Sequence, residues 1–387
     1  MKIIADENIP AVAQAFGTLG EVTLLPGRNL RPQDVRTADV LLVRSVTRVG
    51  RELLEGSRVR FVGSATIGFD HVDRDYLQSR SIGFATAPGS NATSAAEYVV
   101  SALLALAARE SFSLARRTIG IVGCGNVGSR LRDRLAALGC DCLINDPPLR
   151  ERGGHDAFVD LDDILQADII SVHVPLERSG RHPTRHLFDG AILQRMKPDA
   201  VLINTSRGAV VDNAALDALL TRRRDLRVVL DVWEGEPAIE MNLLEKVALG
   251  TAHIAGYSLD GKLRGTEMIY RAACDYLGCA PRWDAATVLP DANTLDLRGS
   301  TGDDDLERVR AAVFNSYDIR ADDERLRGLL RLPPAERPAG FDRLRKEYPI
   351  RREFAVTTVL VNEAAARLGD MLRGIGFNVD AGSASDT

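Results

Sequence analysis

The segment TIGIVGCGNVGSRLRDRLAALG (118–139) constrains this chain more than any other. An apolar run stops at Gly123, Gly125 and Gly128, and a helical pattern begins at once. A strand, a tight glycine turn and a helix in immediate succession form the unit that cradles a pyrophosphate. The first glycine permits the turn, the second lets the main chain approach the anion, and the third lets helix and strand pack closely. The next apolar run, DCLIND (141–146), ends in Asp146, 21 positions after Gly125. A carboxylate there suits ribose hydroxyls and repels a 2′-phosphate, so the spacing predicts NAD rather than NADP.

The rest of the chain alternates in the same manner. Short apolar runs stand at KIIA (2–5), VLLV (40–43), RFVG (60–63) and IGFA (82–85). A second series follows at 118–123, 141–146, 167–174, 200–204, 227–232 and 248–254. Continuously apolar strands separated by helix-length segments predict parallel sheets covered on both faces, and two series predict two such lobes. VVSALLALAA (99–108) reads as part of a buried helix, and 258–277 as one long helix. From 281 to 305 the composition turns polar, as in a linker. Beyond it, VTTVLV (356–361) and NEAAARLGDMLRGIG (362–376) predict a small third α+β unit. At 387 residues the chain is too long for one core, which agrees with this division.

Charge and cysteine content exclude several classes. A net charge of -5 argues against a nucleic-acid surface. The five cysteines form no CxxC pair and suit a reducing compartment, so a cytoplasmic protein without a metal site is expected. No apolar segment is long enough to span a bilayer, and no membrane association is expected.

Three charged residues follow predicted strands of the second series: Arg207 in LINTSRGAVVD, Glu236 in DVWEGEP and His253 in TAHIAGYS. Ligands of an open parallel sheet sit beyond the carboxyl ends of its strands, which predicts that all three meet near a nicotinamide. Hydride transfer from a carbinol carbon also releases a hydroxyl proton, and histidine is the natural base near neutral pH. A neighbouring carboxylate favours the imidazolium that forms. An arginine that ends a strand needs an anion, and its planar fork matches a substrate carboxylate.

NTSRGAVVD, DVWEGEP and HIAGYS, in this order behind the glycine motif, resemble the D-2-hydroxyacid dehydrogenase superfamily over roughly residues 1–280. The resemblance implies a Rossmann cofactor lobe (93–256) inserted in a flavodoxin-like substrate lobe (1–92 and 257–283). It also implies roles: Arg207 binds the substrate carboxylate, His253 is the acid/base, and Glu236 orients the histidine. ADENIP (5–10), VRSVTRV (43–49), ATIGFDHVD (65–73), NDPP (145–148), HPTRHLF (182–188) and HIAGYSLDGKLRGT (253–266) resemble one branch of the superfamily. That branch acts on a small phosphorylated 2-hydroxy acid with NAD and carries a C-terminal dimerisation domain, here 284–387. Further implied are substrate contacts from Ser45, Thr66 and Tyr257, and cofactor contacts from Asn126, Val127, Asp146, Pro175, Thr205, Ser206, Asp231 and Gly256. Arg44, at the end of VLLV, is read as a further substrate contact, whereas the arginines of 343–353 and 222–224 are read as solvated faces.

Two rival functions share these features. One is a sibling enzyme such as 3-phosphoglycerate dehydrogenase; the other is a nucleotide-sensing co-repressor built on the same fold. His71, Tyr257 and the C-terminal extension favour the phosphorylated-acid branch.

Overall fold

The structure is a computed structural model that describes residues 1–153, 157–299 and 304–382, and the chain divides into two compact units. Part of the polar stretch read as a linker, residues 300–303, lies outside the described residues.

The first unit, Met1–Asn91 with Ser258–Asp291, is built on five strands. These are β1 (Lys2–Asp6), β2 (Glu21–Leu25), β3 (Val40–Val43), β4 (Phe61–Ser64) and β5 (Gly83–Ala85). All pair in parallel, in the order β2-β1-β3-β4-β5. Successive side chains of β3 enter opposite cores. Val40 and Leu42 pack with Phe16, Ile269 and Tyr270, while Leu41 and Val43 pack with Leu53, Leu54 and Leu77. Burial on both faces is why VLLV is apolar without alternation. The edge strand β2 escaped the sequence reading because Glu21, Thr23 and Leu24 are exposed, which breaks the apolar run.

The second unit, Ala92–Tyr257 with Ala292–Thr387, contains a six-stranded parallel sheet. Its strands are β6 (Thr118–Val122), β7 (Asp141–Asn145), β8 (Ile169–Val172), β9 (Val201–Asn204), β10 (Arg227–Leu230) and β11 (Leu249–Gly250). Their order, β11-β10-β9-β8-β6-β7, reverses between β6 and β8, the switch point at which a doubly wound sheet binds its ligand. Beyond β7 a single parallel bridge, Ile144 to Phe158, stands where a further strand would continue the first half. The helix Ala92–Glu110 is buried along most of its length and packs against this sheet.

A small sheet completes the second unit: β12 (Asn293–Asp296), β13 (Thr357–Leu360) and β14 (Asn378–Asp380), all parallel. The polar stretch read as a linker thus contains β12. Leu297, Val309, Val313, Phe354, Leu368 and Phe377 join the same apolar cluster as Leu103, Ile121 and Leu135. Ser101 Oγ donates to the Tyr317 carbonyl at 3.0 Å, and the Phe354 amide donates to Glu97 at 2.9 Å. The apolar residues of the tail thus find cover within this chain. Within 343–353, Arg343 is exposed as a solvated face requires, but Arg351 is not. Arg351 is 5% exposed, gives its Nη1 and Nη2 to the carbonyls of Ala255 and Ser94, and lies 3.6 Å from the Tyr317 ring centroid. Arg345 Nε is likewise shielded from solvent. Arg351 belongs to the interior because its aliphatic stem and planar head fill space between the tail and the helix Ala92–Glu110, whereas Arg345 lies beside Tyr257.

Candidate active site

Arg207, Glu236 and His253 follow β9, β10 and β11, three consecutive neighbours in the sheet. Each loop is fixed by the strand beside it. Buried Asn204 ends β9; its Nδ2 donates to the Arg207 carbonyl at 3.0 Å, and its Oδ1 accepts from the Ser206 amide and hydroxyl at 3.0 and 2.8 Å. Arg207 Nη1 donates to the Ser206 carbonyl at 2.8 Å. Gly208 follows because a Cβ there would collide with the main chain of Trp233 and Glu234. The arginine loop and the glutamate loop therefore touch backbone to backbone.

The glutamate loop is held from both sides. Glu236 Oε1 accepts the Trp233 amide at 2.8 Å, and the Trp233 indole donates to the Thr251 carbonyl at 2.9 Å. Glu234 Oε1 lies 2.8 Å from His186 Nε2, and its Oε2 accepts the Asn213 amide at 3.0 Å. Glu236 Oε2 meets His253 Nδ1 at 2.8 Å. That contact places the Nδ1 proton on the glutamate side and leaves Nε2 as the ring nitrogen not engaged by Glu236. Burial pushes the Glu236 carboxyl up, but the His253 charge and hydrogen bond, the Trp233 amide and Arg345 outweigh it. The carboxyl lies below its ordinary value.

His253 has φ 57, a left-handed conformation that a non-glycine residue holds only when its surroundings enforce it. Asp231 enforces it. The Asp231 carbonyl accepts the His253 amide at 2.7 Å, and its buried carboxylate accepts Ile254 and Ala255 amides at 2.7 and 3.0 Å. A chain of hydroxyls backs the carboxylate, from Tyr98 to Thr251 at 2.7 Å and from Thr251 to Asp231 at 2.6 Å. Burial raises the Asp231 carboxyl against the opposing pull of His253, Thr251 and these amides. The sequence reading had Asp231 only as a cofactor contact and missed its hold on the histidine turn. The turn Ile254–Tyr257 closes by a hydrogen bond from the Tyr257 amide to the Ile254 carbonyl at 2.8 Å.

At the cofactor end, the helix Asn126–Ala137 begins after Gly125. A Cβ on Gly128 would strike the Gly123 carbonyl, whereas one on Gly125 would meet nothing within 4 Å. Packing thus demands the third glycine, while the middle one leaves open main chain for a ligand to approach. Those residues fit a dinucleotide. Asp146 caps the short helix Pro147–Glu151, its Oδ1 accepting the Leu149 amide and its Oδ2 the Cys124 amide, both at 2.9 Å. The second lone pairs of these oxygens suit ribose hydroxyls. Thr205 Oγ1 lies 3.2 Å from His173 Nδ1, and His173 Nε2 lies 2.8 Å from Ser171 Oγ. Burial pushes the His173 imidazole down to about 3, which keeps it neutral. The Pro175 carbonyl accepts the Thr184 hydroxyl.

Arg44, Ser45 and Thr66 lie in the first unit, after the neighbouring strands β3 and β4. Arg44 Nε donates to fully buried Asp6 at 3.0 Å, and Ser45 is exposed. Thr66 Oγ1 lies 2.8 Å from Ser64 Oγ, which in turn lies 3.0 Å from His71 Nε2.

The family model for the D-isomer specific 2-hydroxyacid dehydrogenase NAD binding domain matches residues 87–255, and a domain of unknown function matches 288–376. The erythronate-4-phosphate dehydrogenase of Chromohalobacter salexigens is 48% identical over 387 residues, covering 99% of this chain and all of that protein. The chain belongs to the D-isomer specific 2-hydroxyacid dehydrogenase family. It is an NAD-dependent dehydrogenase. The erythronate-4-phosphate dehydrogenase of Salinibacter ruber is 51% identical, covering 93% of this chain and 94% of that one. Among solved structures, the NAD-dependent formate dehydrogenase from Staphylococcus aureus in complex with NAD superposes with a TM-score of 0.60 at 26% identity, covering 74% of this chain and 98% of that one. No helix among the described residues is long and apolar enough to cross a membrane.

Proposed function

We propose that this protein oxidises 4-phospho-D-erythronate at C2 to 3-hydroxy-2-oxo-4-phosphooxybutanoate, a step toward pyridoxal 5′-phosphate. One observation carries the reading: the Glu236–His253 pair, one strand away from Arg207, in a chain that relatives of that name match end to end. NAD, held by the residues named below, would supply the acceptor for the C2 hydride. His253 Nε2 takes the C2 hydroxyl proton, and the Glu236 carboxylate favours the imidazolium. Arg207 grips the C1 carboxylate with two parallel N–H donors. Gly123, Gly125, Asn126, Val127, Gly128 and Asp146 hold the dinucleotide, with Pro175, Thr205, Ser206, Asp231 and Gly256 as further contacts. Since the Ser206 hydroxyl is taken by Asn204 and the Asp231 carboxylate by the neighbouring Ile254 and Ala255 amides, those two residues contact the cofactor chiefly through main chain. Arg44, Ser45, Thr66 and Tyr257 are assigned to substrate.

Under this reading 1–92 with 257–283 serves substrate, 93–256 serves NAD and 284–387 serves dimerisation. We infer a cytoplasmic homodimer: all five cysteines are free thiols, as a reducing compartment requires, and two-fold pairing is the commonest closed assembly. Sedimentation of the purified chain tests the dimer. Initial rates of NAD reduction test the activity, with an expected preference for 4-phospho-D-erythronate over 3-phosphoglycerate of about 100-fold. The opposite preference would make the chain a sibling enzyme, and NAD binding without turnover on either acid would make it a sensor.

A further inference from the structure

Arg345 stands apart from the other interior arginine of the tail. Arg351 is engaged by two carbonyls and an aromatic face. Arg345 comes from the helix Arg337–Lys346, its Cζ lies 5.7 Å from the Tyr257 ring centroid, and its shielded Nε has no hydrogen-bond partner. Tyr257 is itself fixed edge-on against Tyr348 at 5.8 Å, which ties the end of that helix to the turn carrying His253. Glu236 is near enough to act on the Arg345 charge, yet both Glu236 oxygens are already taken by Trp233 and His253. The Arg345 head group also meets the Tyr257 side chain, but its shielded Nε keeps an unused donor, and such a donor on a fixed positive charge calls for an anion. Arg207 accounts for one anionic group of the substrate; a phosphorylated hydroxy acid brings two.

The geometry points to Arg345 as the residue that binds the substrate's phosphate, so that the C-terminal segment, beyond its assigned part in dimerisation, reads the phosphoryl end of the molecule. This rests on the proposed phosphorylated substrate. Phosphate oxygens match the Arg345 fork, and Tyr257 beside it, already assigned to substrate, shares the contact.

The test uses the full-length protein with Arg345→Met and Arg345→Lys. Inorganic phosphate binding is measured by calorimetry in the presence of NAD, and initial rates are measured with 4-phospho-D-erythronate. Expected for Arg345→Met is a loss on the order of 100-fold in kcat/KM, carried by KM, together with weakened phosphate binding. Arg345→Lys recovers part of both, and the NAD dissociation constant stays at the parent value in each variant. Unchanged phosphate binding in Arg345→Met overturns the inference. So does a loss confined to kcat with a displaced pH profile, which would make Arg345 a positioning residue for Glu236. Failure of the parent enzyme to oxidise 4-phospho-D-erythronate would instead defeat the functional reading, and the phosphate-binding comparison would still judge Arg345.

Discussion

The Asp231 carboxylate accepts the backbone amide of Ile254 at 2.7 Å, so the turn that carries His253 hangs from the end of the neighbouring strand. In Asp231→Asn one carboxylate oxygen becomes an amide that faces the Ala255 N–H donor to donor. The expected result is a kcat reduced by at least about tenfold and a Tm lowered by a few degrees. Parent values for both would show that the turn holds itself.

Arg207→Lys keeps the charge and loses the fork. A fall of roughly 100-fold in kcat/KM is expected, with NAD affinity unchanged. Turnover near the parent value would remove Arg207 from the carboxylate site.

Asp146→Ala removes the acceptor for ribose hydroxyls and the cap of Pro147–Glu151. The KM for NAD should rise about tenfold and the preference over NADP should narrow. An unaltered NAD to NADP ratio places the ribose carboxylate elsewhere.

Glu236 lies below the ordinary carboxylate range because His253, Trp233 and Arg345 outweigh its burial, so it stays charged through the working pH. Glu236→Gln withdraws the charge that favours the imidazolium. The acidic limb of the oxidation profile should move to lower pH while the maximal rate drops. A limb that stays in place would separate the carboxylate from the proton transfer.

Glu97 offers a stability test away from the chemistry. Burial pushes its carboxyl from 4.5 up to about 8, opposed by Arg351 and reinforced by Glu353. The unfolded chain therefore releases this proton first. The contribution is complete below about pH 4.5 and declines as pH rises toward 8. Denaturant titrations of Glu97→Gln should show a flatter decline across that window, and a slope equal to the parent's would assign it to other groups.

What the sequence made legible follows from how each element is buried. β3, β6, β8, β9 and β10 lie between two covered faces, so their apolar runs stand out. Arg207, Glu236 and His253 stand in the loops after β9, β10 and β11, where loop chemistry is readable from position alone. β2 and β12 are short edge strands with mostly exposed residues, and nothing in their composition separates them from loops. Asn204 and Asp231 read as polar strand ends until their partners in the next loop are seen. Arg345 was hidden for a different reason. In RLRKEYPIRRE, burial depends on which carbonyls and rings surround each head group, and no one-dimensional pattern records that.

The shared core of the tail and the helix Ala92–Glu110 also sets an order of events during synthesis. Ser94, Glu97 and Ser101 on that helix meet Arg351, Phe354 and Tyr317, which leave the ribosome much later. The first sheet is in the same position, since Ile269 and Tyr270 of Leu259–Leu277 cover strands made at the outset. A nascent chain thus carries uncovered apolar surface on both sheets through most of its elongation. Neither sheet can complete its apolar cover until residues beyond 258 have been made.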